Sequence, residues 1–177
     1  MSDGEYNFLE NFIKNTDGDI LEIGQGFSTI LMLYATAGTS RKITSVDVQH
    51  KIKDYVQYLP LDYVSRLEFI QEDSKQIALH KEYNVVLIDA EHTYEALRKD
   101  TLSCWKHLKD NGFAIFHDYG LFSGVTKFID VLAEMDDGFY AKNESLVVIK
   151  KNYLFTSQLN THDRREPMVN AKTQGYQ

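Results

Sequence analysis

Leu21-Glu22-Ile23-Gly24-Gln25-Gly26-Phe27-Ser28 is a short β-rich run that breaks into glycines and then opens a helical pattern. Gly24 and Gly26 let a backbone turn tightly and approach a ligand closely, where a Cβ would stand in the way. Ser28 suits the N-cap of the helix that follows. Strand, glycine turn and helix, in that order, open the kind of sheet that holds a ligand outside its carboxyl strand ends. Taken alone, two glycines are also what any tight β-α turn would use.

Outward from that stretch the same rhythm repeats. Strands are predicted at Ile20 to Gly24, Ile43 to Asp47, Leu67 to Gln71, Asn84 to Asp89 and Gly112 to His117, separated by helical patterns. That alternation predicts a parallel sheet with helices on both faces. The unbroken apolar run from Asn84 to Asp89 reads as a central strand, buried on both sides. Helices are predicted over Gly4 to Asn15, from Ser28, and over Thr93 to Lys109, where Tyr94, Leu97, Thr101, Leu102, Trp105 and Leu108 share one face. Asn111-Gly112 would end that third helix with left-handed residues. A fourth runs through Val125, Phe128, Ile129, Leu132 and Met135. Then the period breaks. Gly138 to Lys142 and Ser145 to Lys150 are parted only by Asn143-Glu144, a hairpin spacing with Asn143 suited to positive φ. Two residues cannot join parallel strands. The fold class is therefore α/β: a three-layer sandwich on a mostly parallel sheet with a C-terminal antiparallel hairpin.

Composition removes several function classes. At 177 residues, the chain is one domain over 1–154, followed by a polar tail over 155–177 that would order only against the body or a second subunit. Monomer and homodimer both stay open. A net charge of −7 with scattered lysines argues against nucleic acid or an anionic membrane as partner. Cys104 is the sole cysteine, so no internal disulfide forms, and its helical setting beside Trp105 reads as a packed thiol. An acidic start and the lack of a long apolar run leave a cytoplasmic location as the default.

Residues at the strand ends make up the candidate site. Glu22 precedes the glycines, and Asp47 closes the second strand where a carboxylate can accept both hydroxyl hydrogens of a ribose. Asp73-Ser74, after the third strand, can line a pocket for a base, or Asp73 can simply cap a helix. A dinucleotide fingerprint would need glycine at position 29, where this chain has Thr29. Asp89-Ala-Glu-His-Thr-Tyr94 follows the fourth strand, and Phe116-His117-Asp118-Tyr119, with Gly124-Val125 beyond, follows the fifth.

On these residues the chain resembles the class I S-adenosylmethionine-dependent methyltransferases, within them the group of macrolide-sugar and catechol O-methyltransferases. The resemblance covers roughly residues 18 to 150. It implies a Rossmann-like, seven-stranded sheet and S-adenosyl-L-methionine held by Glu22, Gly24, Gly26, Ser28, Asp47, Asp73, Ser74 and Asp89. It also implies a divalent cation, Mg²⁺ or Mn²⁺, on Asp89, Asp118 and His117, lowering the pKa of an acceptor hydroxyl. His117 stands where some relatives have a further carboxylate or an amide, which shifts preference from Mg²⁺ toward Mn²⁺ or a softer ion, or toward no ion. His92, three residues after Asp89, is the expected general base, with Glu91 as the second catalytic candidate. Tyr94 and Tyr119 either wall the acceptor pocket or pack. The expected acceptor is a small-molecule hydroxyl. Two other readings stand beside this one: an NAD-binding oxidoreductase, and a non-catalytic module that keeps the S-adenosylmethionine pocket.

Overall fold

The computed structural model describes residues 1–135 and 140–152. Thirteen elements follow in order: α1 (Asp3–Lys14), β1 (Ile20–Ile23), α2 (Phe27–Ala35), β2 (Ile43–Asp47), α3 (Lys53–Val56), α4 (Leu61–Val64), β3 (Leu67–Gln71), β4 (Tyr83–Ile88), α5 (Tyr94–Trp105), β5 (Leu108–Phe116), α6 (Ser123–Met135), β6 (Ala141–Asn143) and β7 (Leu146–Lys150). The strands form one sheet in the order β3-β2-β1-β4-β5-β7-β6. β1 to β5 pair in parallel, and β7 runs antiparallel between β5 and β6. The strand order reverses between β1 and β4, which opens a crevice above their carboxyl ends.

Side-chain alternation sorts the core into two layers. Val85 and Leu87 of β4, with Ile20, Ile43 and Ile115, pack under Leu9 and Ile13 of α1 and Met32 and Leu33 of α2. Val86 and Ile88, from the opposite face of the same strand, meet Leu97, Trp105, Phe128, Ile129 and Leu132 of α5 and α6. Period-2 strands and period-3.6 helices thus bury their apolar faces on one another. α1 begins with a capping box: Ser2 Oγ accepts from the Glu5 N–H at 3.2 Å, and Glu5 Oε2 accepts from the Ser2 N–H at 2.7 Å. Cys104 is buried, and burial pushes its thiol well up, as expected of a packed cysteine.

Four local expectations are corrected. Ser28 does not cap α2; Gly26 does, and Ser28 lies inside the first turn, where its hydroxyl turns down to Glu22. The helix read as ending at Asn111-Gly112 stops at Trp105. Leu108, apolar at helical spacing, instead starts β5, and Asn111 (φ 63°) kinks that strand beside the shift in register against β4. In the hairpin the positive φ falls on Glu144 (50°), not Asn143. Its first strand is Ala141–Asn143, while positions 138 and 139 of the expected strand and the tail read at 155–177 lie outside the described residues. Among the described residues no helix is long and apolar enough to cross a membrane.

Candidate active site

Gly24 occupies φ +95°, and a Cβ built on it would lie 2.0 Å from the backbone oxygen of Asp89. Only glycine lets the end of β1 close against the end of β4 there. Gly26 differs. Its φ of −167° is ordinary extended backbone, and an added Cβ would meet nothing closer than Ser28 Oγ at 3.8 Å. The protein itself does not demand glycine at position 26.

Beneath the turn, Glu22 is completely buried and bonded to three hydroxyls: Ser28 at 2.6 Å, Ser45 at 2.6 Å and Thr29 at 2.5 Å. Burial pushes its carboxyl up to about 7, against the pull of those hydroxyls. Thr29 also accepts from the Gly26 N–H at 3.3 Å, so the residue in place of a third glycine ties the loop to its floor. Glu22 and Ser28 therefore shape the turn from below, and neither lines the crevice.

A cavity of about 340 Å³ opens beside that turn, within the range of small-molecule sites. Of the expected site residues, Gly24, Asp47, Asp73, Ser74 and Glu91 line it and Gly26 and Asp89 do not; Lys51, Lys75 and Asp100 join the lining. Asp47 accepts from the Gln25 N–H at 2.9 Å and the Gln49 N–H at 2.9 Å, and Lys51 Nζ lies 2.8 Å away. Asp73 accepts from the Lys75 N–H at 3.0 Å, capping a turn rather than a helix, while still facing the cavity. Lys75 Nζ reaches Glu91 at 3.2 Å across the rim.

Next to the cavity, at the ends of β4 and β5, four side chains converge. His92 Nε2 lies 2.7 Å from Asp118 Oδ2, and His117 Nδ1 lies 3.1 Å from Asp89 Oδ1 and 3.2 Å from Asp118 Oδ1. Asp118 reaches them through a left-handed backbone (φ 66°), a conformation that aspartate tolerates better than most residues. Phe122 stacks on the His92 ring at 4.3 Å and 11°. Asp89, His92 and Asp118 each offer a ligand atom within 4.8 Å of the others. His117 sits behind that trio, with Nε2 3.5 Å from Glu5 Oε2 of α1. Burial lowers its pKa, but the Asp89 hydrogen bond and the charges of Asp89, Asp118 and Glu5 outweigh burial and raise it. Glu5 is itself held low, at about 2: burial is overcome by bonds from the Ser145 hydroxyl and the Ser2 and Ser145 N–H groups, together with His117.

The two catalytic candidates, adjacent in the chain, thus point apart. Glu91 turns to Lys75 and the cavity rim; His92 turns to Asp118. Of the two tyrosines, Tyr94 packs edge-on against Phe128 at 5.6 Å, and Tyr119 donates to Asp130 at 2.7 Å beneath Lys142. Asp100, Lys51 and Glu5 escaped the sequence reading. Only Glu5 left a signal there, its capping-box spacing after Ser2.

A crevice at a reversal of strand order, floored by a glycine turn and flanked by the carboxylate ending β2, defines a nucleoside-binding α/β protein. Residues 21–119 match a family described as a methyltransferase domain, and the chain belongs to the class I S-adenosylmethionine-dependent methyltransferases. Among solved structures, the glycopeptide N-methyltransferase MtfA is 21% identical over 65% of this chain and 53% of its own, with a TM-score of 0.52. The O-methyltransferase NovP is 14% identical over 84% and 80%, TM-score 0.60. CalS11, a TDP-rhamnose 3′-O-methyltransferase of calicheamicin biosynthesis, is 13% identical over 82% and 76%, TM-score 0.58. The chain spans about half the length of MtfA, which has also been solved with S-adenosyl-L-methionine and with S-adenosyl-L-homocysteine. A search of curated proteins finds no significant match.

Proposed function

We propose that this chain, as one domain over 1–154, transfers the methyl group of S-adenosylmethionine to a hydroxyl of a small molecule, a sugar or a catechol-like ring. One residue carries the reading. Asp89 presses its backbone oxygen against Gly24 and sends its carboxylate into the His117–Asp118 cluster, so the glycine turn and the acid–base corner share a wall. The cavity suits the cofactor: Asp47 offers acceptors to a ribose, and Asp73 and Ser74 stand where a base would lie; Gly26, just outside the lining, adds no side chain to the turn beside it. When bound there, the cofactor supplies a methyl group on a positively charged sulfur, ready for an in-line nucleophile. The protein's task is to deprotonate that nucleophile. The Asp118 carboxylate, 2.7 Å from His92 Nε2, favours a proton on that nitrogen through its charge, leaving Nδ1, which meets no partner among the described residues, to accept the hydroxyl proton. The imidazolium so formed is stabilised by the same carboxylate. NovP and CalS11 methylate oxygen and MtfA nitrogen; a base beside the site is what a hydroxyl, of high pKa, needs most.

Calorimetry with S-adenosylhomocysteine, followed by labelled methyl transfer to a panel of sugar and catechol hydroxyls, tests this. Micromolar one-to-one binding and transfer to oxygen are expected. Absence of binding at millimolar ligand overturns the proposal.

The convergence of Asp89, His92 and Asp118 favours a second reading, in which these three hold a divalent cation. One imidazole and two carboxylates suit Mn²⁺ better than Mg²⁺. Bound there, the ion would lower the pKa of an acceptor hydroxyl. His92 Nε2 would then be a ligand. Chelator-treated protein should lose turnover and regain it with Mn²⁺; full activity after chelation leaves the His92–Asp118 pair as the base.

A further inference from the structure

Asp100 lies in the middle of α5, where an acid would ordinarily face solvent, yet it is 1% exposed. What surface it has opens into the cavity beside the glycine turn. One of its oxygens, Oδ1, accepts from the Ser74 hydroxyl at 2.5 Å; Oδ2 has no hydrogen-bond donor among the described residues. That open acceptor faces the cavity, where a ligand offering a hydrogen would be held.

The order of strand ends says which part of a ligand meets it. Along the sheet the ends run β3, β2, β1, β4, β5, carrying Ser74, Asp47, Gly24, Asp89 and Asp118 in turn. Resting on the reading above, the reactive sulfur faces the His92–Asp118 end and the ribose faces Asp47. The purine then falls at the β3 side, against Ser74 and Asp100. We infer that Asp100, held by Ser74, is the residue that reads the 6-amino group of the cofactor's adenine. A carboxylate only accepts, so Oδ2 selects a base that presents N–H at position 6 and rejects one that presents a carbonyl there. Burial raises the Asp100 pKa, which fits a carboxylate whose proton donor belongs to a ligand.

Calorimetry of the full chain with S-adenosylhomocysteine and with S-inosyl-L-homocysteine, in which a 6-oxo group replaces the amine, isolates this contact. The unaltered protein should prefer the adenosyl compound by roughly 10- to 100-fold, the worth of a charge-assisted hydrogen bond. Asp100→Asn should cut that preference to about threefold or less. Asp47→Ala should weaken both ligands and keep the preference. Should Asp100→Asn not fold, Ser74→Ala decides, with a partial loss of preference expected. Equal affinity of the unaltered protein for the two ligands, an unchanged preference in the variants, or equal weakening of both ligands by Asp100→Asn overturns the inference alone. Failure of the unaltered protein to bind either compound overturns the cofactor reading with it.

Discussion

His92 Nε2 and Asp118 Oδ2 approach to 2.7 Å although they leave the sheet from different strands, β4 and β5. The left-handed turn at Asp118 and the stacked ring of Phe122 hold the two in register. His92→Gln keeps the shape of the loop and removes the proposed base. Turnover should fall roughly 100-fold or more, the usual contribution of a positioned general base. S-adenosylhomocysteine affinity should stay within about threefold, because the imidazole lies outside the cavity lining. Steady-state kinetics on the best acceptor, with calorimetry, separates the two effects.

The two glycines should part company on substitution. Gly24→Ala meets both a positive φ and a backbone oxygen, and should lower the melting temperature by on the order of 5 °C or more. Gly26→Ala meets neither. It should melt within about 2 °C of the unaltered protein, because its added methyl meets nothing nearer than Ser28 Oγ at 3.8 Å; if the cofactor packs against the turn as proposed, S-adenosylhomocysteine should bind roughly tenfold less tightly. Thermal melts and calorimetry on the pair give the answer.

Glu22 makes stability depend on pH. Its folded carboxyl titrates near 7 against an ordinary 4.5, so it holds its proton more tightly when folded. Such a group contributes stability below about 4.5 that is lost as pH rises through about 7. Glu22→Gln removes that titration. The difference in unfolding free energy between the variant and the parent should therefore grow in the variant's favour from pH 5 to pH 8, by on the order of 2 kcal/mol. Urea titrations at the two pH values measure it.

Thr29→Gly would restore the third glycine of a dinucleotide fingerprint. Here it would instead strip Glu22 of one hydroxyl and the Gly26 N–H of its acceptor. The variant should lose about 1–3 kcal/mol of stability, the cost of two lost hydrogen bonds and of a glycine in the first turn of α2. It should gain no affinity for NADH. Fluorescence titration showing tight NADH binding would favour the oxidoreductase reading.

The strand-end residues were legible because a β-α rhythm puts whatever follows each apolar run at one edge of the sheet. Asp47, Asp73, Asp89 and Asp118 all follow from that rule. Roles that depend on what crosses above or below an element did not show. Asp100 reads as an ordinary helix-face acid until Ser74 is seen against it. Glu22 reads as a ligand contact until Ser28, Thr29 and Ser45 close over it. Helical spacing carried the α5 pattern through Leu108, because one apolar residue serves a helix end and a strand start alike. Loop residues have no period, so the opposite bearings of Glu91 and His92 were invisible in the chain.

A crystal structure grown with S-adenosylhomocysteine puts the whole account at stake. The adenosine should occupy the crevice at the β1–β4 reversal, its ribose hydroxyls on Asp47 and its sulfur directed toward His92. A nucleoside seated at any other place on the sheet, or a sulfur turned away from His92 and Asp118, would contradict it.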